Sequence, residues 1–205
     1  CSSDLGRGYD TGKCVAFAES SGDLLCFVDA DNEITHPDFI RLAAGAMAAH
    51  PNALGLEAYY LGSPKMTSFC VYLTELLHIS DPVAWMMSIS PVKQGVSGDV
   101  ERWTFPEGSL AYPMGANGFF FHRRDLAHLT RHDKFEDCTI ALEIAMRGRK
   151  EWLRIRDRGV HHYVVSGFWD FVRKRRRQTY HFLGQRAEKK LRSEEHTSEL
   201  QSPCN

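Results

Sequence analysis

Blocks of apolar and polar residues along the chain predict an α/β protein. Residues 24–28 are apolar without interruption, as in a strand that is buried on both faces of a parallel sheet. Residues 37–50 carry apolar side chains at helical spacing, and residues 53–60 again read as a strand. Because strand, loop, helix and strand in succession make an α/β unit, we predict a sheet flanked by helices.

The second half of the chain predicts further elements of the same kind. A glycine-bounded turn at residues 115–118 leads into a strand, followed by a helix from residue 123 to about 129. Residues 135–148 predict a helix with a buried stripe, and residues 152–156 alternate like a half-exposed strand. A final helix is expected from about residue 167 to residue 190, whereas residues 91–112 predict only loops and short extended pieces.

Three carboxylates at alternate positions follow the first apolar run: Asp29, Asp31 and Glu33. Acidic groups at the carboxyl end of a buried strand lie where open α/β sheets bind their ligands. Close carboxylates repel one another unless a cation or a proton offsets their charge. We therefore expect Mg²⁺ or Mn²⁺ to bind here. The alternative is a solvated acidic turn that merely closes the strand, because Asp-x-Asp is short and common.

Both ends of the chain resemble translated sequencing adapter. Residues 192–202 match such a translation, and residues 1–5 can be encoded by the reverse complement of its start. We therefore expect residues 6–191 to be the native part, and residues 1–5 and 192–205 to be derived from adapter. That native part carries 24 basic and 22 acidic residues, since these charged residues fall outside it: Asp4, Arg192, Glu194, Glu195 and Glu199.

Composition favours one globular cytoplasmic domain. The charge is almost balanced, which argues against a nucleic-acid partner. We expect no signal peptide, and no apolar run approaches the roughly 18 residues that a membrane helix needs. The native cysteines lie in apolar segments without a Cys-x-x-Cys pair, so we expect reduced and mostly buried thiols at Cys14, Cys26, Cys70 and Cys138.

The last predicted helix carries five consecutive basic residues at positions 173–177. Most of such a run is ordinarily a solvated face. Helical spacing nevertheless places Arg176 on one stripe with Val172, Tyr180 and Leu183, and a buried or groove-facing arginine requires an anion such as a phosphate. Candidates for binding phosphate are therefore Arg176, Arg177 and Lys174, together with Lys13, which follows a glycine near the start of the chain.

The order of these motifs resembles the family 2 glycosyltransferases of the GT-A fold. An Asp-Ala-Asp follows an apolar strand, and Gly-Ala-Asn-Gly-Phe, Phe-Glu-Asp, Gly-Val-His-His and the basic helix come after it. The resemblance covers residues from about 6 to 185 and implies a Rossmann-like mixed sheet flanked by helices. Family members open with a strand–helix–strand nucleotide-binding half. This chain begins after that half, so we expect it to be inactive alone.

The resemblance implies a metal-dependent, inverting transfer of a sugar from a nucleotide-sugar donor to a hydroxyl or phosphate acceptor. Asp31 would bind the cation that bridges the donor's diphosphate, and Asp29 would help to hold the ribose or the metal's water shell. Asp137 would be the catalytic base, with Glu136 as the alternative. Further residues of the site would be Glu33 as an extra metal ligand, His161 or His162 at the metal or diphosphate, and Asn117 and Gly118 near the acceptor.

The acceptor is expected to be lipid-linked or part of a cell-surface glycan. Residues 64–90 are apolar and aromatic, and they predict either a helix packed on the sheet or an interfacial segment in peripheral contact with the inner face of a membrane. Two other classes are open. A haloacid-dehalogenase-like phosphatase also places Asp-x-Asp after an apolar strand, although it continues with Thr or Val where Glu33 stands. A catalytically silent sugar-nucleotide or lipid-binding module is the other.

Overall fold

The computed structural model describes residues 9–76, 91–105, 114–130, 135, 137–177, 179–180 and 183. The described part is mixed α/β, as predicted in general terms. The chain divides into two compact units, with the boundary between Tyr163 and Val164.

The first unit contains most of the described elements. Its helices are α1 (Tyr9–Glu19), α2 (Phe39–Ala49), α3 (Ser68–Val71), a π-helical turn (Tyr72–Leu76), a 3₁₀ turn (Arg123–Leu126) and α4 (Asp137–Met146). Its strands are β1 (Leu24–Phe27), β2 (Asn32–Ile34), β3 (Tyr59–Tyr60), β4 (Val92–Ser97), β5 (Val100–Thr104), β6 (Phe119–His122), β7 (Glu151–Ile155) and β8 (Gly159–His162).

A mixed sheet runs from β1 to β4 through a single bridging residue, Leu56. Strand β1 pairs antiparallel with β6, and Leu56 exchanges backbone hydrogen bonds with Phe120 of β6. On its other side Leu56 bridges in parallel to Leu153 of β7, which continues antiparallel to β5 and then β4. The strand at residues 24–28 is thus present, but the prediction of a parallel neighbour was wrong. The chain enters β6 from a turn beside the carboxyl end of β1, which sets the two strands antiparallel.

A smaller sheet has β8 at its centre. Asn32 of β2 lies opposite His162 of β8 in an antiparallel pair, and Tyr59 of β3 lies opposite Gly159 in a parallel pair. A Cβ atom at Gly159 would come within 1.9 Å of the Tyr59 carbonyl oxygen, so only glycine allows the close pairing of β3 and β8. This sheet brings the chain that follows the acidic motif onto the Gly-Val-His-His strand.

Two apolar clusters form the core on either side of the larger sheet. Helix α2 buries Phe39, Ala43, Ala46 and Met47 against Leu56 and Leu153, as its spacing predicted. The other cluster joins α1, β1, β6 and α4, and its aromatic members include Phe119, Phe121, Phe135 and Trp152. Cys14 and Cys70 are buried free thiols, and burial raises the pKa of the Cys26 thiol to about 12.

Three local predictions were wrong. The strand predicted over residues 53–60 is reduced to β3 and to the isolated bridges of Leu56. Strand β7 is almost wholly buried, although its alternation predicted a half-exposed strand, because the charged Arg154 finds a buried partner. The helix expected over residues 123–129 is a short 3₁₀ turn, in which Asp125 is buried in an ion pair with Arg149. Of residues 64–90, the part from 77 to 90 lies outside the described residues.

The second unit contains a helix over residues 168–177, and residues 179, 180 and 183 are also helical. This lies within the helix predicted from the sequence. Across the described part of the chain, no helix combines the length and the apolar character needed to span a bilayer.

Candidate functional site

The acidic motif forms a tight turn between β1 and β2. The Asn32 amide N–H donates to the Asp29 carbonyl oxygen at 3.1 Å, which closes the turn. The Tyr163 N–H donates to the Asp31 carbonyl oxygen at 2.9 Å, which fastens the turn to the end of β8. Both carboxylates therefore stand on backbone that is fixed from two sides, and each side chain remains about 40% exposed.

The glycine-bounded turn before β6 meets the acidic turn. Asn117 and Gly118 adopt left-handed backbone conformations, with φ of 52° and 89°. Asparagine and glycine tolerate this region best, which accounts for their use here. The Gly118 N–H donates to the Phe27 carbonyl oxygen at 2.7 Å, so the turn is attached to the carboxyl end of β1.

Five polar side chains from four segments converge at this place, and we refer to them as the Asp31 cluster: Asp31, Asn32, Tyr60, Asn117 and His162. The Asn32 amide nitrogen lies 3.0 Å from both Asp31 Oδ1 and Asn117 Oδ1. The Asn117 amide nitrogen lies 3.3 Å from the Tyr60 hydroxyl and 3.4 Å from His162 Nδ1. His162 Nε2 is in turn 3.5 Å from Asp31 Oδ2.

His162 is positioned by this cluster to face Asp31. Its side chain is only 5% exposed, and its ring packs edge-on against Tyr60 with centroids 5.5 Å apart. If the Asn117 amide donates to Nδ1, a neutral ring carries its proton on Nε2 and directs it at the Asp31 carboxylate. A cation bound by Asp31 and His162 would displace that proton.

Lys13 pairs with Asp29, a contact that the sequence did not predict. The lysine is carried by α1, is nearly buried, and places Nζ 3.6 Å from Asp29 Oδ1. A lysine beside an aspartate at a ligand-binding edge can neutralise the carboxylate or reach a phosphate that approaches it. Lys13, which was predicted as a phosphate-binding residue, therefore lies next to the acidic motif.

Glu33 is directed away from the Asp31 cluster into a second group of contacts. Its carboxylate accepts from Lys65 Nζ at 3.1 Å and from the Tyr163 hydroxyl at 2.7 Å. The Tyr163 hydrogen bond and then Lys65 hold the pKa of Glu33 below its ordinary value. His161 lies opposite Glu33 in the strand register, and its Nδ1 is 2.9 Å from the Leu61 carbonyl oxygen. Of the two histidines predicted for the site, it is therefore His162 that contacts Asp31.

The candidate base is described only through its backbone. Asp137 is the first residue of α4, and its side chain, like the whole of Glu136, lies outside the described residues. The neighbouring Phe135 is fully buried and stacks on Phe27 with ring centroids 4.2 Å apart. This contact ties the chain just before α4 to the strand that carries the acidic motif.

The three basic candidates of the last helix, Lys174, Arg176 and Arg177, lie in the second unit. Lys174 Nζ donates to the Val164 carbonyl oxygen at 3.0 Å, and Arg176 and Arg177 are exposed. Val172, Tyr180 and Leu183, which share the predicted stripe with Arg176, are exposed, and the phosphate contact of Arg176 stays a prediction.

Sequence reasoning missed four residues of the two polar groups: Asn32, Tyr60, Lys65 and Tyr163. Only Asn32 had a local signal, since it follows the acidic pair directly. The other three reach the site through pairing of β3 and β8 and through the loop after β3, which no short motif encodes.

The described residues contain no group of three or more histidine, cysteine or acidic side chains spaced to hold a metal ion. At the acidic motif they offer the pair of Asp31 and His162. Mg²⁺ is commonly held by one or two carboxylates together with water and substrate phosphates, so the Asp31 carboxylate fits a cation that binds with its substrate.

Comparison of the chain with known protein families, with curated proteins and with solved structures found no match.

Proposed function

We propose that the first unit is the catalytic part of a metal-dependent, inverting glycosyltransferase of the GT-A arrangement. It would move a sugar from a nucleotide-sugar donor to a hydroxyl or phosphate acceptor, lipid-linked or on a cell-surface glycan. The observation that carries the proposal is the Asp31 cluster, in which the acidic turn, the Asn117 turn and the end of β8 meet at one half-exposed carboxylate.

The chemistry requires two separated groups. Displacement of a nucleoside diphosphate forms a bond from the acceptor oxygen to the sugar carbon and breaks the bond to the leaving phosphate oxygen. The acceptor proton must pass to a carboxylate within hydrogen-bonding reach. Within the proposal Asp137 receives that proton, with Glu136 as the alternative, and the contact of Phe135 with Phe27 supports a base on the same side of the sheet as the acidic turn.

Asp31 and His162 would hold Mg²⁺ or Mn²⁺, with Asp29 near the ribose or the metal's water shell. The cation supplies compensation for the negative charge on the departing diphosphate. Lys13 beside Asp29 supports an anionic ligand at this edge, because it brings a nearly buried positive charge to the acidic motif. Asn117 and Gly118 would border the acceptor.

A binding experiment tests the site directly. Mn²⁺ binding to this chain is measured by titration calorimetry or by the paramagnetic resonance of free Mn²⁺, with and without uridine diphosphate. We expect binding in the wild type and at least a tenfold loss in Asp31→Asn, since a carboxylate ligand is removed. Glu33→Gln is the matched control, because it makes the same chemical change two residues away at a carboxylate held by Lys65 and Tyr163.

A transfer experiment tests the reaction. A panel of sugar nucleotides is offered to a longer form of the gene that includes the nucleotide-binding half expected before residue 6. Metal-dependent turnover that is lost in Asp31→Asn and in Asp137→Asn, with donor binding kept in Asp137→Asn, would support both roles. Phosphate release without a sugar nucleotide would instead favour the phosphatase.

The second candidate is a catalytically silent module that binds a sugar nucleotide or a lipid. It is favoured by one observation: each acidic side chain already has a partner within the chain, Lys13 for Asp29 and His162 for Asp31. Donor binding that survives every substitution at Asp137, together with no transfer to any acceptor, would select this alternative.

A further inference from the structure

The helix of the second unit turns its apolar and aromatic side chains outward. We refer to the following residues as the aromatic–basic face: Phe168, Trp169, Val172, Arg173, Arg176, Tyr180 and Leu183. Two adjacent pairs, 168/169 and 172/173, and spacings of three or four between the other members place all seven on one side of a helix. All seven are exposed, and the indole of Trp169 is 74% exposed.

The opposite side of this helix makes several contacts within its own unit. Asp170 accepts hydrogen bonds from the Ser166 amide at 3.0 Å and from its hydroxyl at 3.2 Å. Lys174 donates to the Val164 carbonyl oxygen, and the Arg175 guanidinium lies 5.2 Å from the centre of the Phe171 ring. One side of this helix therefore exposes both arginines and apolar side chains, while the other side carries the contacts of Asp170, Lys174 and Arg175.

Charge indicates what the outward face contacts. Residues 173–177 are all basic, and within the helix over residues 168–177 the single acidic side chain is Asp170, which is occupied by Ser166. Arginines that flank an aromatic and aliphatic stripe suit a surface that is apolar inside and anionic at its boundary. Tryptophan and tyrosine also prefer that boundary, because their rings are apolar and carry one polar group.

We propose that the aromatic–basic face docks on an anionic lipid bilayer, with Trp169 and Phe168 entering the headgroup region and the arginines contacting lipid phosphates. The proposal is independent of the proposed sugar transfer, since it concerns the second unit and needs no turnover. It also gives the predicted phosphate contact of Arg176 a specific source, the lipid headgroup. Nucleic acid fits less well, because phosphate contacts alone do not account for Phe168, Val172 and Leu183 on the same face.

Vesicle co-sedimentation tests the charge component on the full chain. We expect binding to phosphatidylcholine vesicles that contain phosphatidylglycerol, little binding to phosphatidylcholine alone, and weakening by salt. Each basic residue near such a surface strengthens partition about fivefold, so Arg173→Gln combined with Arg176→Gln should weaken binding about 30-fold. The matched control, Arg41→Gln with Arg147→Gln, removes two exposed charges elsewhere and should bind like the wild type.

Fluorescence quenching by brominated lipids tests the aromatic component. The chain has four tryptophans, and only Trp169 belongs to the proposed face: Trp85, Trp103, Trp152 and Trp169. Trp169→Phe, a mild change at an exposed position, should remove most of the lipid-dependent quenching, whereas Trp103→Phe in β5 of the first unit should keep it. Circular dichroism verifies that each variant has the wild-type helix content.

Four outcomes would overturn the proposal. One is an absence of binding to anionic vesicles in the wild type. Another is equal weakening by the two double arginine variants, which would make the attraction a property of overall charge. The third is quenching that persists in Trp169→Phe. The fourth is tight binding to single-stranded RNA that Trp169→Phe leaves unchanged and that vesicles do not compete for.

Discussion

Two polar clusters in the first unit differ in how completely their charges are compensated. One is the Asp31 cluster, whose acidic side chain is half-exposed and lies 3.5 Å from the His162 imidazole. The other, which we call the buried network, lies around β5 and β7 and consists of Glu57, Tyr59, Lys93, Glu101, Trp103 and Arg154. Its two carboxylic residues are 4% and 3% exposed.

The buried network leaves little capacity for another ligand. Arg154 donates to Glu57 from Nε at 3.0 Å and from a terminal nitrogen, and its guanidinium lies about 5 Å from the ring centres of Tyr59 and Trp103. Glu101 accepts from the Lys93 ammonium, the Tyr59 hydroxyl and the Trp103 indole. A charge that is desolvated to this extent persists only with such partners.

The titration of these groups follows from the same contacts. Burial, with the hydrogen bond to Glu101, raises the pKa of Tyr59 to about 12. Burial alone would raise the pKa of Glu101, but the hydrogen bonds from Lys93, Tyr59 and Trp103 hold it below the ordinary value. We infer that the buried network serves to hold strands together, whereas the Asp31 cluster, with an exposed carboxylate, can exchange a protein partner for a ligand.

The largest expected effect is at the centre of the buried network. Arg154→Met should reduce the free energy of unfolding by about 3–5 kcal/mol, because it leaves the buried Glu57 carboxylate without its cation. Urea denaturation followed by circular dichroism measures the loss. Arg102→Met is the matched control on the neighbouring strand, where the 3.6 Å pair with Glu151 is exposed and contributes about 0–1 kcal/mol. Equal losses in both variants would remove the distinction between the two clusters.

The next effect concerns the strand that carries His162. Gly159→Ala should cost about 1–3 kcal/mol, since a methyl group there meets the Tyr59 backbone, which cannot move aside without separating β3 from β8. Gly45→Ala is the control. It lies inside α2 with no atom within 4 Å of its added methyl group, and should stabilise the helix by about 0.5–1 kcal/mol. Thermal unfolding of both variants checks the pair, and a neutral Gly159→Ala would show that β8 tolerates displacement.

What the sequence could predict was local. Apolar spacing within a single segment predicted a strand at residues 24–28 and a helix at residues 37–50. Both elements are present in the structure. Strand β7 was misjudged because Arg154 reads as a solvent-facing residue until Glu57, 97 positions away, is brought beside it. The direction of pairing of β1 was misjudged for the same reason, since its partner β6 is remote in sequence.

The candidate site was predictable to a similar degree. Asp31 was singled out by its place after an apolar run, whereas Asn117, and His162 as an alternative to His161, came from the family resemblance; the three meet within one cluster. Glu33 was grouped with Asp31 as one of three carboxylates at alternate positions, and alternate residues share a face only in a regular strand. The turn that Asn32 closes on Asp29 breaks this alternation before β2 begins, so Glu33 joins Lys65 and Tyr163 instead.

A smaller effect separates the two clusters by stability alone. Asp31→Asn should change the free energy of unfolding by less than about 1 kcal/mol, because a half-exposed carboxylate at 3.5 Å from an imidazole contributes little to folding. Urea denaturation in metal-free buffer measures this change, which is then compared with the larger loss expected for Arg154→Met. A loss comparable to that of Arg154→Met would mean that Asp31 holds the fold and is not available for a ligand.

The smallest expected effect is the acid titration of Glu33. The folded-state pKa of this carboxyl lies below its ordinary value of 4.5, so the associated stabilisation is fully present above that value and is lost as the pH falls through the lowered pKa. Tyr163→Phe removes the hydrogen bond that lowers the pKa of Glu33 most, so this pKa should rise toward 4.5. The pH range over which stability depends on the titration of Glu33 then becomes narrower. Carbon-detected NMR of the Glu33 carboxyl measures the shift, with Tyr72→Phe as a control at another exposed tyrosine. A wild-type pKa at the ordinary value would indicate that Tyr163 and Lys65 do not form these contacts with Glu33. The Glu33 carboxylate could then join Asp31 as the additional metal ligand that was predicted from the sequence.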